Sequence, residues 1–124
     1  MPFVKDVLDK EVYILLVEDD IDDQEFIMEC FINQKMEHQV KIVSSGDQLF
    51  DVLDHTPDNA LLPTLIILDY NLPGLTGEAI LVLLKKDPRY WHIPVIIYST
   101  GMNREKELDL LGFGANFCRI SPLQ

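Results

Sequence analysis

The chain has 124 residues, enough for one domain with a hydrophobic core, and its composition is 48% hydrophobic and 25% charged. Ten basic residues against twenty-one acidic ones give a formal net charge of −11. This charge argues against non-specific binding to nucleic acid or to an anionic membrane surface, because both need basic patches.

Short apolar runs alternate with helical patterns along the chain. Residues 12–17 (VYILLV) and 64–69 (TLIILD) are apolar on both faces, as expected for strands covered on both sides of a sheet. Further strands are predicted at residues 39–45, 93–99 and 116–120, and helices from Ile21, after Gly46, over 77–86 and over 103–112. This alternation is typical of βαβ units, so we predict an α/β fold with a doubly wound, five-stranded parallel sheet.

Targeting and redox signals are weak. No apolar run approaches the roughly 18 residues of a transmembrane helix, and the N-terminus lacks the features of a signal peptide. Cys30 and Cys118 lie far apart and outside any metal-binding or redox motif, so reduced thiols are expected. We therefore expect a cytoplasmic single domain over residues 1–124, with residues 1–11 as an N-terminal extension.

The stretch EDDIDD places five carboxylates in six positions directly after the first strand. Such charges repel one another, by about 4 kcal/mol at a separation of about 4 Å in a surface-like dielectric. Asp20, Asp22 and Asp23 stand where a helix begins, and there carboxylates cap N–H groups and interact favourably with the helix dipole. Glu18 and Asp19 have either this structural role or a functional one.

The carboxyl ends of parallel strands meet along one edge of a doubly wound sheet, where ligands bind. This rule brings Glu18 and Asp19 together with Asp69, which ends the third strand, and with Ser99, which ends the fourth. Asp69 ends a buried strand without opening a helix, so a functional role is favoured. Converging carboxylates without basic partners are either strongly shifted in pKa or neutralised by a cation, and oxygen-only ligands at a phosphate-handling edge favour Mg²⁺. No P-loop or G-x-G-x-x-G motif points to a nucleotide instead.

Four segments, taken together and in order, resemble the receiver domain of two-component response regulators: ILLVEDD, LIILDYNLPGLTG, IPVIIYST and GANF. The resemblance covers nearly the whole chain. The segment KKDPRYWHIPVIIYST is most similar to stand-alone receivers, some of which serve phytochrome-type histidine kinases. The resemblance implies a flavodoxin-like sheet with the strand order 2-1-3-4-5.

The resemblance also implies roles for individual residues. Asp69 would take a phosphoryl group from the phosphohistidine of a sensor histidine kinase, and the protein would later hydrolyse this aspartyl phosphate itself, so that it is not a conventional enzyme. Asp19 and Asp69 would bind Mg²⁺ directly, Glu18 would bind it directly or through water, and Asn71 would bind it through the backbone carbonyl.

Ser99 would donate a hydrogen bond to the phosphoryl group and move towards it, with Thr100 beside it in the cofactor-binding site. This movement would carry the signal to the face formed by the fourth strand and its helix, and from there to a downstream protein. Ser121 stands where the family has a lysine, and a hydroxyl gives only a neutral hydrogen bond. Arg119, on the same strand face, is an alternative positive charge. We hypothesise that phosphorylation is coupled weakly or differently to the conformational change.

Only three residues follow Ser121, so the fifth helix of the fold is not expected. Either the chain is part of a longer one, or a partner chain covers the apolar surface that this helix would cover, and residues 3–10 could fill part of it. We expect self-association. Two rival functions remain. The missing lysine supports a degenerate receiver that acts only as a protein-interaction module. A Mg²⁺-dependent aspartyl phosphatase is disfavoured, because such enzymes often carry an Asp two residues after the nucleophile and this chain has Asn71.

Overall fold

The computed structural model describes residues 12–99, 104–115 and the backbone of residues 117–120. The strands are β1 (Ile14–Val17), β2 (Val40–Val43), β3 (Leu65–Asp69), β4 (Val95–Ser99) and β5 (Phe117–Ile120). The α-helices are α1 (Ile21–Asn33), α2 (Gly46–Asp54), α3 (Gly77–Lys86) and α4 (Arg104–Gly112). All neighbouring strands are parallel and follow the order β2-β1-β3-β4-β5, which confirms the predicted doubly wound, flavodoxin-like sheet.

Most of the hydrophobic core lies on one face of the sheet. Side chains alternate along each strand, so one face receives a set of fully or almost fully buried residues: Leu15, Val17, Ile66, Leu68, Val95 and Ile97. Helices α2 and α3 cover this face with Leu49, Leu53, Ile80, Leu81 and Leu84. On the opposite face, α1 has no fully buried residue and exposes Phe26 and Ile32.

The strand boundaries differ from the predictions by one or two residues. The second strand ends at Val43 instead of residue 45, because Ser44 N–H bonds to the Gln48 side chain and the Ser45 hydroxyl caps α2. Two short 3₁₀ helices, Glu37–Gln39 and Asn59–Leu61, were not predicted. The predicted N-terminal extension and the segment after residue 120 lie outside the described residues. No helix in the described part of the chain is long and apolar enough to span a membrane.

The connection from β3 to α3 is a tight turn directly behind the end of β3. Gly74 has φ 75°, a left-handed conformation that glycine adopts without strain and that suits the turn in NLPG, residues 71–74. The Thr76 hydroxyl caps α3 by accepting from Ala79 N–H. Gly77 packs against the backbone of Tyr70, and its N–H donates to the Tyr70 carbonyl at 3.1 Å. The start of α3 therefore fixes the backbone at the end of β3.

This contact gives a prediction for Gly77→Ala. A Cβ at this position would lie 2.7 Å from Tyr70 Cα and 2.8 Å from the Asp69 carbonyl oxygen, and backbone atoms cannot move aside cheaply. We expect Gly77→Ala to lower the free energy of unfolding by about 1–3 kcal/mol in urea denaturation. The matched control is Gly112→Ala, where a Cβ meets nothing within 4 Å, and which is expected to lose no stability. Equal stability of the two variants would contradict the close approach.

Candidate functional site

The strand register brings three polar side chains into one row at the carboxyl end of the sheet. Val17 pairs with Leu68, so Glu18 and Asp69 are the next residues on two neighbouring strands. Asp69 in turn pairs with Tyr98 of β4. Paired residues of parallel strands project to the same face, so all three side chains converge. They line a cavity of about 260 Å³, whose other lining residues are Asp19, Asp20, Asp23, Asn71 and Ser99.

Three carboxylates of this cavity lie close enough to share one cation. Glu18, Asp19 and Asp69 each offer an oxygen atom, and these atoms lie within 4.8 Å of one another. Glu18 and Asp69 are buried, whereas Asp19 is exposed. Among the described residues that line the cavity, none is basic. A donor set made only of carboxylate oxygens suits a hard divalent cation, so the cluster fits the metal that the sequence predicts.

Glu18 is held in place by four hydrogen bonds. Its Oε1 accepts from the Tyr98 hydroxyl, and its Oε2 accepts from Asp20 N–H at 3.1 Å. Its backbone N–H donates to the Val43 carbonyl at 3.0 Å, and its carbonyl accepts from Gln24 Nε2 at 2.7 Å. The position and orientation of this buried carboxylate are therefore set by β2, β4 and the beginning of α1.

Asp69 is linked to Ser99 through Asn71. Asn71 N–H donates to Asp69 Oδ1 at 3.0 Å, and the Asn71 side-chain Nδ2 donates to Ser99 Oγ at 2.7 Å. The Ser99 side chain is itself buried. Asn71 thereby connects the carboxylate at the end of β3 with the hydroxyl at the end of β4. The sequence prediction used only the backbone carbonyl of Asn71, and the contact of its side chain with Ser99 was not anticipated.

Burial makes the charged forms of both inner carboxylates costly. Burial raises the pKa of Glu18 to about 7, and the charge of Asp69 adds to this effect. Burial likewise raises the pKa of Asp69, against the opposing effect of the Asn71 N–H. A cation placed between these groups would favour their charged forms, since an opposite charge lowers the pKa of a carboxylate.

The structure brings together most of the residues singled out in the sequence. Five of them line the cavity: Glu18, Asp19, Asp69, Asn71 and Ser99. Thr100 and Ser121 lie outside the described residues, as does the side chain of Arg119. Asp20 caps α1 by accepting from Asp23 N–H at 3.0 Å, which confirms its predicted structural role.

Two residues of the site were missed, Tyr98 and Gln24. Tyr98 could have been found by aligning the ends of the third and fourth strands, because it is the residue that pairs with Asp69. Gln24 carries no comparable signal. It is one polar residue among several in the first turns of α1, and only the structure places its amide on the Glu18 carbonyl.

The raised pKa values predict a pH dependence of stability in buffer free of divalent ions. A carboxyl group whose pKa is raised on folding stabilises the protein fully below its unfolded pKa, and this contribution is lost as the pH rises through the folded value. The free energy of unfolding should therefore decrease between about pH 4.5 and pH 7 and level off above pH 7, where Glu18 is charged in both the folded and the unfolded state. In Asp69→Asn this decrease in the free energy of unfolding should be smaller than in the wild type by about 1–3 kcal/mol, because the charge next to Glu18 is gone.

The control is Asp51→Asn, which removes a carboxylate from the exposed face of α2, away from the cavity. It should follow the wild-type pH profile in urea denaturation with EDTA. An Asp69→Asn profile that also follows the wild type would contradict the repulsion inferred for the inner carboxylates.

Known proteins with similar sequences and known proteins with similar structures both come from one family. Residues 14–118 match the response regulator receiver domain family. Response regulator Rcp1 of Synechocystis sp. (strain ATCC 27184 / PCC 6803 / Kazusa) is 32% identical over 94 residues, which are 74% of this chain and 64% of Rcp1. The chain thus spans a little less than two thirds of that relative. Two-component response regulator ORR12 of Oryza sativa subsp. japonica is 29% identical over 90% of this chain and 88% of its own.

Solved structures agree with these relatives. The Mn²⁺-bound form of Rcp1 superposes with a TM-score of 0.80 at 27% identity, covering 91% of this chain and 83% of that one. The phosphorylated cyanobacterial phytochrome response regulator RcpA superposes with a TM-score of 0.76 at 34% identity, covering 90% of this chain and 80% of that one. The chain therefore belongs to the receiver domain family of two-component response regulators.

Proposed function

We propose that the chain accepts a phosphoryl group on Asp69 from the phosphohistidine of a sensor histidine kinase, in a Mg²⁺-dependent reaction. The observation that carries this proposal is the setting of Asp69: a buried carboxylate at the end of β3, within 4.8 Å of two further carboxylates and joined to Ser99 through Asn71. A carboxylate oxygen of Asp69 attacks phosphorus while the bond to the imidazole nitrogen breaks. The phosphohistidine ring, protonated on its other nitrogen, leaves as neutral histidine, and an aspartyl phosphate remains.

The ligands proposed for Mg²⁺ come from both acidic strand ends and from the turn after β3. Asp19 and Asp69 bind the ion directly, Glu18 binds it directly or through water, and Asn71 contributes its backbone carbonyl. When bound, the ion supplies positive charge that offsets the repulsion between the carboxylates and the incoming phosphoryl group. Glu18 has both oxygens occupied by donors of the protein, which supports a role at or behind the ion through water.

Ser99 is proposed to donate its hydroxyl proton to a phosphoryl oxygen, with Thr100 next to it in the same site. Asn71 donates to Asp69 Oδ1 and to Ser99 Oγ, and both side chains line the same cavity, which supports a movement of the hydroxyl towards the new group. Such a contact exists only in the phosphorylated protein. It therefore shifts the population of β4 and α4 between two states, as a ligand that binds one state does.

The partners proposed are a sensor histidine kinase and a downstream protein. The likeness to RcpA, which is described as a cyanobacterial phytochrome response regulator, supports a kinase of the phytochrome type. A formal net charge of −11 disfavours a direct contact with nucleic acid or with an anionic membrane, in line with a cytoplasmic protein that signals through protein contacts. Self-association of the chain stays a prediction of the sequence. Hydrolysis of the aspartyl phosphate within the same site ends the signal.

The degenerate receiver is the one rival function that a specific observation favours. Ser121 replaces the lysine of the family, so the site has one positive charge fewer to hold a phosphoryl group. The cluster of Glu18, Asp19 and Asp69 argues against this rival. A module that only binds proteins gains nothing from a buried pair of acids that repel each other.

The central test is covalent phosphorylation. With acetyl phosphate and Mg²⁺, intact-mass spectrometry should show the wild-type chain gaining the mass of one phosphoryl group, and Asp69→Asn should gain none. EDTA should prevent the reaction because the carboxylates then repel the phosphodonor.

The matched control is Asp23→Asn, which changes another carboxylate that lines the cavity but stands in the first turn of α1. It should keep the reaction. Phosphorylation of Asp69→Asn, or a wild-type protein that stays unmodified by acetyl phosphate and by a cognate kinase, would contradict the proposal and favour the interaction module.

The role of Ser121 is tested by restoring the lysine. In Ser121→Lys, beryllofluoride with Mg²⁺ should produce larger amide chemical-shift changes in β4 and α4 than in the wild type, because an ammonium group binds the anion more strongly than a hydroxyl does. Gln124→Lys adds the same charge to the same end of the chain and should respond like the wild type. Identical responses of Ser121→Lys and wild type would refute the weak coupling.

A further inference from the structure

We propose that Tyr98 is a positioning residue for the divalent cation, which it serves by fixing Glu18. This inference rests on the function proposed above and extends it to a residue outside the predicted ligand set. Tyr98 is reached through the strand register. Tyr98 of β4 pairs with Asp69 of β3. Val17 of β1 pairs with Leu68 of β3, so Glu18 and Asp69, the next residues on these strands, also lie side by side. The three side chains therefore form one row on one face of the sheet.

The hydroxyl of Tyr98 ends beside the acidic cluster. It donates to Glu18 Oε1, and the side chain lines the cavity with the three carboxylates. Burial and the neighbouring Glu18 raise the pKa of the Tyr98 hydroxyl, which keeps its proton and remains a donor. Tyr98 thus acts on the cavity through Glu18, without a charge of its own.

The bond determines where a fully buried carboxylate points. One oxygen of Glu18 is held by Tyr98 and the other by Asp20 N–H at 3.1 Å. Each carboxylate oxygen has a second lone pair, so both donors leave Glu18 able to face a cation or its water. Without the phenol, Glu18 Oε1 would lose a charge-assisted bond inside the protein, and the carboxylate would be free to turn. Such supporting bonds are worth about 10–100-fold in metal affinity.

Tyr90 provides a control, because its hydroxyl also donates to a carboxylate but lies outside the cavity. The Tyr90 hydroxyl donates to Asp54 Oδ1 at 2.6 Å, which is also a phenol bonded to a carboxylate. Tyr90 and Asp54 do not line the cavity. Tyr98→Phe and Tyr90→Phe therefore remove the same atom and the same kind of bond, but only the first touches the proposed metal site.

The first measurement is the affinity for Mn²⁺ alone, by isothermal titration calorimetry of the full chain. Tyr98→Phe should bind Mn²⁺ about tenfold or more weakly than the wild type, and Tyr90→Phe should stay within about twofold. Phosphorylation by acetyl phosphate should differ between Tyr98→Phe and the wild type in the Mg²⁺ concentration required, but not in the maximal rate. Tyr98→Phe should need a higher Mg²⁺ concentration for half-maximal rate, and its rate at saturating Mg²⁺ should approach that of the wild type.

The second measurement uses the wild-type protein, so it does not depend on the folding of a variant. With ring-¹³C-labelled tyrosine, Mg²⁺ should shift the ring resonances of Tyr98. The four tyrosines of the chain are assigned by single Phe variants at Tyr13, Tyr70 and Tyr90. Tyr98 ring resonances that stay unchanged on addition of Mg²⁺ would contradict a link between the phenol and the metal site.

The outcomes separate the two proposals. If the wild type does not bind Mn²⁺ or Mg²⁺, the proposed function fails and the inference on Tyr98 fails with it. If the wild type binds the metal while Tyr98→Phe binds it equally well, or if the Tyr98 resonances do not respond, only the positioning role is overturned. Weaker binding in both Tyr98→Phe and Tyr90→Phe would also overturn it, because the loss would then come from stability.

Discussion

The site depends on the in-register pairing of three parallel strands. Because β1, β3 and β4 end at the same level, Glu18, Asp69 and Tyr98 lie side by side without any loop having to place them. A shift of β1 by one residue against β3 would turn its side chains to the opposite face and separate the two carboxylates. In this alignment Leu15 and Val17 join the core beside Ile66 and Leu68 of β3.

The hydrophobic core and the acidic edge are therefore two consequences of one alignment, with opposite effects on stability. The strands bury Leu68 and Ile97 against α2 and α3, which favours folding. The residues that follow bring buried carboxylates together, which opposes folding as long as no cation is present. Stability given up at a binding site in this way is common in proteins whose ligand restores it.

Much of this arrangement was predictable from the sequence. Apolar runs of four to six residues with helical spacings between them predict a parallel βαβ sheet, and the resemblance to receiver domains implies its strand order. The edge rule then collects Glu18, Asp19, Asp69 and Ser99. Tyr98 was missed because the alternation of side chains along β4 predicts which residues reach the core, and Tyr98 is one of the half-buried residues between them. Its position beside Asp69 follows only from the pairing of β4 with β3. The contact of the Asn71 amide with Ser99 depends on the turn after β3, whose geometry is not a repeating pattern.

The positions of Tyr98 and Ser99 in β4 would connect the proposed metal site to the proposed signal. They are consecutive residues, so their side chains leave the strand on opposite faces, one towards Glu18 and the other towards Asn71. The Tyr98 carbonyl is itself bonded to Tyr70 N–H at 3.0 Å, so β4 is fastened to the backbone that follows Asp69. Ser99 cannot move far along the strand without pulling the phenol away from Glu18. A contact between Ser99 and a phosphoryl group would therefore strain or exchange the bond that orients Glu18, and the state of the metal site and the position of β4 would be coupled through two neighbouring residues.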